Sequence, residues 1–157
     1  MSKRTSSRPG FTLLELMVVI IVIAIIAAIT LPMVQNMSKN ARESALRCEL
    51  RSLRNQILMY QLHHNGNLPA PAQLTDLLMQ RTNVDGTIDS QGRCGPYLVT
   101  FPSNPYNGRT DVKIVADGHN AAADDSSGWL YGVDQSSFTI VANSTGQDRS
   151  GVPLTRY

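Results

Sequence analysis

The chain has 157 residues, of which 42% are hydrophobic, 17% charged and 6% aromatic, with two cysteines and a formal net charge of +2. This is too apolar for a disordered chain and too poor in cysteine for a disulfide-stapled miniprotein, and the small net charge excludes a strongly basic nucleic-acid binder as the default. The mean hydropathy of −0.13 suits a soluble protein, yet the apolar residues are gathered at one end.

Residues 1–10, MSKRTSSRPG, carry Lys3, Arg4 and Arg8 and no acid. Phe11 to Leu31 follows as 21 residues with a single charge, Glu15. A helix rising about 1.5 Å per residue over that length crosses the roughly 30 Å hydrocarbon core. Basic residues before the span place the N-terminus in the cytoplasm and the remainder outside. Removing residues 1–10 lowers Lys+Arg from 14 to 11 against 12 acids, so the net charge becomes −1. The positive charge therefore belongs to the leader. An ordinary signal peptide has an apolar stretch of about 7 to 15 residues; here a small-residue site at Ala24, Ala27 or Ala28 would lie inside the apolar run. A plain single-pass anchor fits the length and flanks equally well.

Glu15 separates these readings. A carboxylate in a span costs about 2.5 kcal/mol or more at mid-bilayer, and an acid kept there usually has a partner. It either lies shallow enough to reach the head groups or meets a positive charge at its own depth. Cleavage between Gly10 and Phe11 would create such a charge, a new α-amine. In a staggered bundle Glu15 of one chain could face the amine of another and set the register.

The basic leader, Gly10, Phe11, Thr12, Leu13, Leu14, Glu15 and the long aliphatic run ending near Pro32 resemble the prepilin-type cleavage and methylation segment of type IV pilins and type II secretion pseudopilins. The resemblance is specific over residues 8–32. It implies that a membrane prepilin peptidase cuts after Gly10 and methylates the amine of Phe11. It also implies that Glu15 supports subunit docking during assembly and that Pro32 marks where the helix bends or loosens in a filament. Independently, a proline inside a helix removes one hydrogen bond and crowds the preceding turn.

From Met33 to His64 there is neither glycine nor proline. Leu46, Leu50, Leu53, Ile57 and Tyr60 recur at spacings of 4, 3, 4 and 3, one apolar stripe on a helix. Glu43 and Arg47 have i,i+4 geometry. Asn65-Gly66-Asn67 stops the helix, with Gly66 as a left-handed cap and Pro69 beyond. The helix is thus expected over residues 11–64, with its stripe either a coiled-coil seam or the face on which the C-terminal part packs.

Residues 65–157 read as a small glycine-rich head. Residues 68–72 form a turn or linker. Thr75 to Gln80 reads as a short helix capped by Thr75. Strands are expected at Tyr97–Phe101, Val112–Val115 and, as a hairpin, Trp129–Tyr131 and Ser137–Ala142. Asn104-Pro-Tyr-Asn-Gly108 is a turn. Residues 143–157 hold little apolar content and read as a mobile tail. The predicted fold class is α+β and, by resemblance, pilin-like: a long N-terminal helix whose second half packs on a small antiparallel β-sheet. The layout is a leader at 1–10, a membrane or filament-core helix at 11–31, an amphipathic helix at 32–64 and the head at 65–157.

Within the family, the Asn-Pro-Tyr-Asn-Gly turn and the short chain resemble the major pseudopilins of type II secretion more than adhesive pilins. That resemblance raises calcium as a cofactor, since those proteins usually carry a calcium loop near the C-terminus. The best acidic loop here contains Asp117, Asp124 and Asp125. Calcium takes oxygen ligands from such loops, but the spacing matches no ligand template, and the family's glycine-rich calcium segment is not recognisable. Acids in an exposed loop are also commonly just solvated.

Other groups offer less. His63 and His64 are adjacent and point about 100° apart on a helix, so they do not clasp one metal. In an extracytoplasmic domain Cys48 and Cys94 can pair and restrict the unfolded chain by a few kcal/mol; alternatively Cys48 packs at the edge of the stripe and Cys94 stays free. Arg42, Arg47, Arg51 and Arg54 suggest a DNA-binding face, a solvated face or contacts between subunits, and the net charge of −1 without the leader argues against nucleic acid. No G-x-S-x-G elbow and no G-x-x-x-x-G-K-[ST] loop occurs. No catalytic set is legible, so an anchored enzyme is the weakest reading.

The expected function is a structural subunit of a type II secretion pseudopilus, a helical homopolymer that drives export across the outer membrane. Its implied partners are other pseudopilins, the prepilin peptidase and an inner-membrane platform with a cytoplasmic ATPase. The alternatives are a type IV pilin for adhesion, motility or DNA uptake, and a membrane-anchored binding module with its ligand in the 117–128 loop. The expected location is the inner membrane with the head periplasmic, the filament lying in the periplasm or at the cell surface.

Overall fold

A computed structural model describes residues 10–116, 121–134 and 137–157. Its elements in chain order are the helix α1 (Leu13–His63), a 3-10 turn (Pro71–Gln73), α2 (Leu74–Met79), the strands β1 (Val112–Ile114), β2 (Trp129–Asp134) and β3 (Ser137–Ala142), and a closing 3-10 turn (Leu154–Arg156). The chain divides into two compact units, residues 1–39 and residues 40–157.

In the first unit, helix α1 begins at Leu13 and continues through position 32 without interruption. The large aliphatic residues from Leu13 to Met37 are all exposed. A helix apolar on every side needs an apolar surrounding, either lipid or other helices. Among the described residues α1 is the one helix long and apolar enough to cross a bilayer.

The second unit is built on the expected stripe. Leu46, Leu50, Leu53, Ile57 and Tyr60 are each at most 3% exposed. They pack with Leu74, Leu77 and Leu78 of α2, with Trp129 and Tyr131 of β2, with Ile140 and Ala142 of β3, and with Phe101 and Leu154. The stripe is therefore the face against which the head packs. The buried aromatic rings keep their polar ends satisfied: the Trp129 indole N–H donates to the Pro102 carbonyl at 3.0 Å and the Tyr131 hydroxyl to the Pro69 carbonyl at 3.2 Å. Helix α1 ends where Asn65 and Gly66 both turn left-handed, with φ of 56° and 86°. The Gly66 N–H donates to the Gln61 carbonyl at 2.9 Å, which satisfies one of the last helical acceptors.

The sheet has the order β1-β2-β3. The expected hairpin forms: β2 and β3 are antiparallel, with Trp129 opposite Ala142 and Asp134 opposite Ser137. By contrast, β1 runs parallel to β2, with Val112 opposite Trp129, so the sheet is mixed rather than antiparallel. Parallel neighbours need a crossover of a dozen or more residues, and the polar stretch between Ile114 and Trp129 supplies that length. The segment Tyr97–Phe101 does not form a strand. The N–H groups of Tyr97 and Leu98 both donate to the Leu78 carbonyl, at 2.8 and 2.9 Å, and so join α2 instead of a ladder. Helix α2 likewise starts one residue before Thr75, with Gln73 at its N-cap and no side-chain cap. The preceding 3-10 turn delivers the chain into the helix and takes over that role.

Residues 143–157 pack onto the unit rather than forming a mobile tail. Asn143, Ser144 and Leu154 are buried. The Tyr157 ring lies under the Arg47 guanidinium, 4.4 Å from ring centroid to the central carbon, and the Arg54 guanidinium donates to the Ile140 and Tyr157 carbonyls.

Candidate processing segment and head loops

Gly10 and Phe11 precede α1 in non-helical backbone, and both are exposed. The expected cleavage point thus lies in exposed backbone outside the helix. Immediately after it, Thr12 and Glu15 close on each other. The Thr12 N–H and hydroxyl both donate to Glu15 Oε2 at 2.9 Å, and the Glu15 N–H donates to Thr12 Oγ1 at 3.2 Å. This is a reciprocal capping box, in which the N-cap hydroxyl and the acid three residues on satisfy the orphan donors of the first turn. A negative carboxylate at a helix N-terminus also meets the positive end of the backbone dipole. The Thr12-x-x-Glu15 spacing carries this signal in the sequence, where Glu15 reads only as an acid in want of a cation.

Along the second unit two of the four arginines are committed to the head. Arg47 bonds Glu43 at 2.7 Å, the expected i,i+4 pair, and the Tyr157 hydroxyl at 2.9 Å. Arg54 is held by the carbonyls named above. An open groove of about 400 Å³ lies beside Arg47, Arg51, Arg54 and Tyr157. His64 is buried, stacked on Tyr60 at 3.7 Å between ring centroids and bonded to the Tyr60 carbonyl and the Thr82 hydroxyl. His63 meets the Tyr97 hydroxyl at 3.1 Å instead.

Cys48 and Cys94 are free thiols in this structure. Cys48 is exposed on α1, whereas Cys94 is buried with its sulfur 3.9 Å from the His63 carbonyl. Fifteen helical residues from Cys48 to His63 amount to roughly 22 Å, far beyond the 7 Å that a disulfide's Cα atoms tolerate.

The acidic-loop residues are engaged with protein groups. Asp124 Oδ2 pairs with the Lys113 ammonium at 2.5 Å. Asp124 Oδ1 accepts from the Ser126 hydroxyl at 2.6 Å, the Ser126 N–H at 3.1 Å and Asn143 Nδ2 at 2.8 Å. Lys113 foremost, then Ser126 and Asn143, hold the Asp124 carboxyl well below its ordinary pKa. Asp125, at φ 56°, accepts from the Thr145 hydroxyl and N–H. Asp117 lies outside the described residues. Among the described residues no three of His, Cys, Asp and Glu gather where they could hold a metal ion.

Residues 5–31 match the family described as Prokaryotic N-terminal methylation motif. The matched segment leads into a capped apolar helix followed by a small α+β head, which is a pilin-like layout. The chain is similar to the type II secretion system core protein G of several bacteria. It is 29% identical to that of Aeromonas hydrophila over 141 residues, covering 82% of this chain and 96% of the relative. It is 28% identical to that of Klebsiella michiganensis over 121 residues, covering 77% and 82%. It is 27% identical to that of Escherichia coli K12 over 122 residues, covering 78% and 81%. No solved structure gives a significant match.

Proposed function

We propose that this chain is a structural subunit of a type II secretion pseudopilus. The observation that carries the reading is the segment 10–15: an exposed Gly10–Phe11 bond set directly before a helix whose first turn is capped by Thr12 and Glu15. Prepilin peptidase cuts that bond on the cytoplasmic side of the inner membrane and methylates Phe11. The apolar part of α1 first lies in lipid, with the head in the periplasm. An inner-membrane platform and its cytoplasmic ATPase then move the subunit into a helical filament, together with copies of itself and with other pseudopilins. A heterologous, non-closing interface of this kind gives an open polymer. Similarity to core protein G over about four-fifths of the chain favours the secretion pseudopilus over a surface pilus. The role is structural: the head presents packing and caps, and Glu15 aligns subunits through the new amine of a neighbour.

Mass spectrometry of the protein extracted from membranes tests the first step. The expected N-terminus is methylated Phe11; a chain that keeps residues 1–10 in cells with active prepilin peptidase overturns the reading. For the second step, Glu15→Ala is expected to insert and be cleaved normally while sheared filament yield falls about tenfold or more, the loss of a charge-assisted contact. Unchanged yield would remove Glu15 from assembly.

A further inference from the structure

Helix α1 carries a second stripe beside its buried one. Arg47, Arg51, Arg54 and Leu58 recur at spacings of 4, 3 and 4, and with Tyr157 they line the open groove of about 400 Å³. A second hollow of about 380 Å³ continues past Leu58 to Leu62. These two leucines are 51% and 73% exposed. No acidic side chain lines either space. Arg47 has Glu43 beside it, whereas Arg51 is exposed and has no carboxylate side chain as partner among the described residues. The face is thus cationic at one end, apolar at the other, and open to solvent.

The loop at residues 83–92 mixes the same apolar character with the opposite charge. Val84 and Ile88, four residues apart, are 44% and 43% exposed. Asp85 and Asp89 follow them in the chain, exposed and without a cation partner among the described residues. The Thr87 N–H and hydroxyl hold Asp85 below the ordinary carboxylate range, and the Gln91 N–H and Asn83 amide do the same for Asp89. Both therefore stay charged. Arg81 is turned back onto the Gly92 carbonyl at 3.0 Å. The base of the loop is fixed, since Thr82 and Cys94 exchange two backbone bonds of 3.0 Å and the Asn83 N–H donates to the Thr87 carbonyl at 2.9 Å. A loop ordered in advance loses little entropy on docking.

The two patches stand at different levels of α1. The loop lies against Tyr60, since a Cβ on Gly86 would stand 3.1 Å from the Tyr60 hydroxyl. Tyr60 is six residues beyond Arg54, about 9 Å along the helix. Two unlike, complementary patches on every copy pair head to tail, and a contact of that kind leaves both ends open for further copies. Opposite charges fix its orientation, and the covered aliphatic side chains supply attraction.

We propose that the α1 groove at Arg51 and Leu58 of one copy takes the 83–92 loop of another, with Asp85 and Asp89 against the guanidiniums and Val84 and Ile88 against the leucines. Successive copies are then offset along α1 by on the order of 10 Å. The contact deepens the pseudopilin reading and rests on it.

Cross-linking of sheared filaments tests the contact. Arg51→Lys keeps the charge and adds an amine, which a carbodiimide couples to a touching carboxylate as an amide with loss of water. The tryptic peptide 82–93 joined to position 51 is expected in the dimer band and absent from the monomer band. Filaments that never yield it overturn the contact and leave the pseudopilin reading standing. In parallel, Arg51→Glu and Asp85→Lys are each expected to lower sheared filament yield about tenfold, and the double variant to restore it to about the parent's level. A double variant no better than either single one overturns the contact, even if Arg51→Lys does not assemble. A parent chain that keeps residues 1–10 and forms no filaments takes both readings down.

Discussion

Glu15 caps its own helix and, on the proposed reading, also pairs with a neighbour's amine, and the two roles can be separated. A capping box accepts Gln as well as Glu at the third helical position, whereas pairing with an amine needs the negative charge. Glu15→Gln should therefore keep the helix start seen here and still assemble as poorly as Glu15→Ala. Filament yield near that of the parent would show that the cap alone matters. At the other end of the chain, Asp124 and Asp148 are both held below their ordinary carboxylate range, Asp124 chiefly by Lys113 and Asp148 chiefly by the Tyr157 hydroxyl. A carboxyl depressed by folding contributes stability above about pH 4 and loses it as pH falls through its folded value. Thermal midpoints of the parent and Asp124→Asn should thus differ at pH 7 and converge as pH drops below about 4. A gap constant with pH would mean the carboxylate's charge is not what stabilises. Asn104→Ala leaves the Gly128 carbonyl and Ser144 hydroxyl without their donor, and is expected to cost about 1–3 kcal/mol in denaturant melts.

Among the elements, the ones with a strong period were legible. The spacing of Leu46, Leu50, Leu53, Ile57 and Tyr60 fixed both the helix and its buried face, and Asn65-Gly66 fixed its end. The hairpin showed itself through two runs of aromatic and β-branched residues. The parallel pairing of β1 did not, because three residues carry no direction and the sequence that joins β1 to β2 is polar without a helical period. The Tyr97–Phe101 segment has strand composition, but the N–H groups of Tyr97 and Leu98 go to the Leu78 carbonyl of α2, a tertiary choice that β propensity does not encode. The helix faces are expected to respond differently to truncation. Leu53→Ala opens a cavity among fully buried residues and should cost about 2–5 kcal/mol. Leu58→Ala, on the exposed side, should stay within about 0.5 kcal/mol. Comparable losses at the two sites would mean that both faces are covered. Gly128 shows how tightly the elements meet: a Cβ there would stand 2.2 Å from the Arg109 carbonyl oxygen.

Taken whole, the chain reads most clearly at its first thirty residues, where charge, glycine, acid and apolar length all fall in linear order. The prepilin segment is a local signal, so sequence alone carried it. The last fifteen residues are the opposite case. Their order comes from single anchors, Leu154 in the core and Tyr157 against Arg47, which no periodicity announces. Deleting residues 153–157 is expected to lower the melting midpoint of the head by several degrees, since one buried leucine alone is worth about 2 kcal/mol or more. An unchanged midpoint would mean that the anchors hold only themselves.

The Thr12–Glu15 box bears on the traffic of subunits. On the proposed reading, a subunit waiting in the bilayer already has two donors of its own threonine on the carboxylate. Joining a neighbour then exchanges one set of partners for another instead of rescuing a stranded charge. Exchanging neutral donors for a cation gains less than pairing a stranded charge would. On the proposed reading the step into a filament would gain only that difference, so a substitution that removes the Thr12 hydroxyl should favour joining while one that removes the Glu15 charge disfavours it.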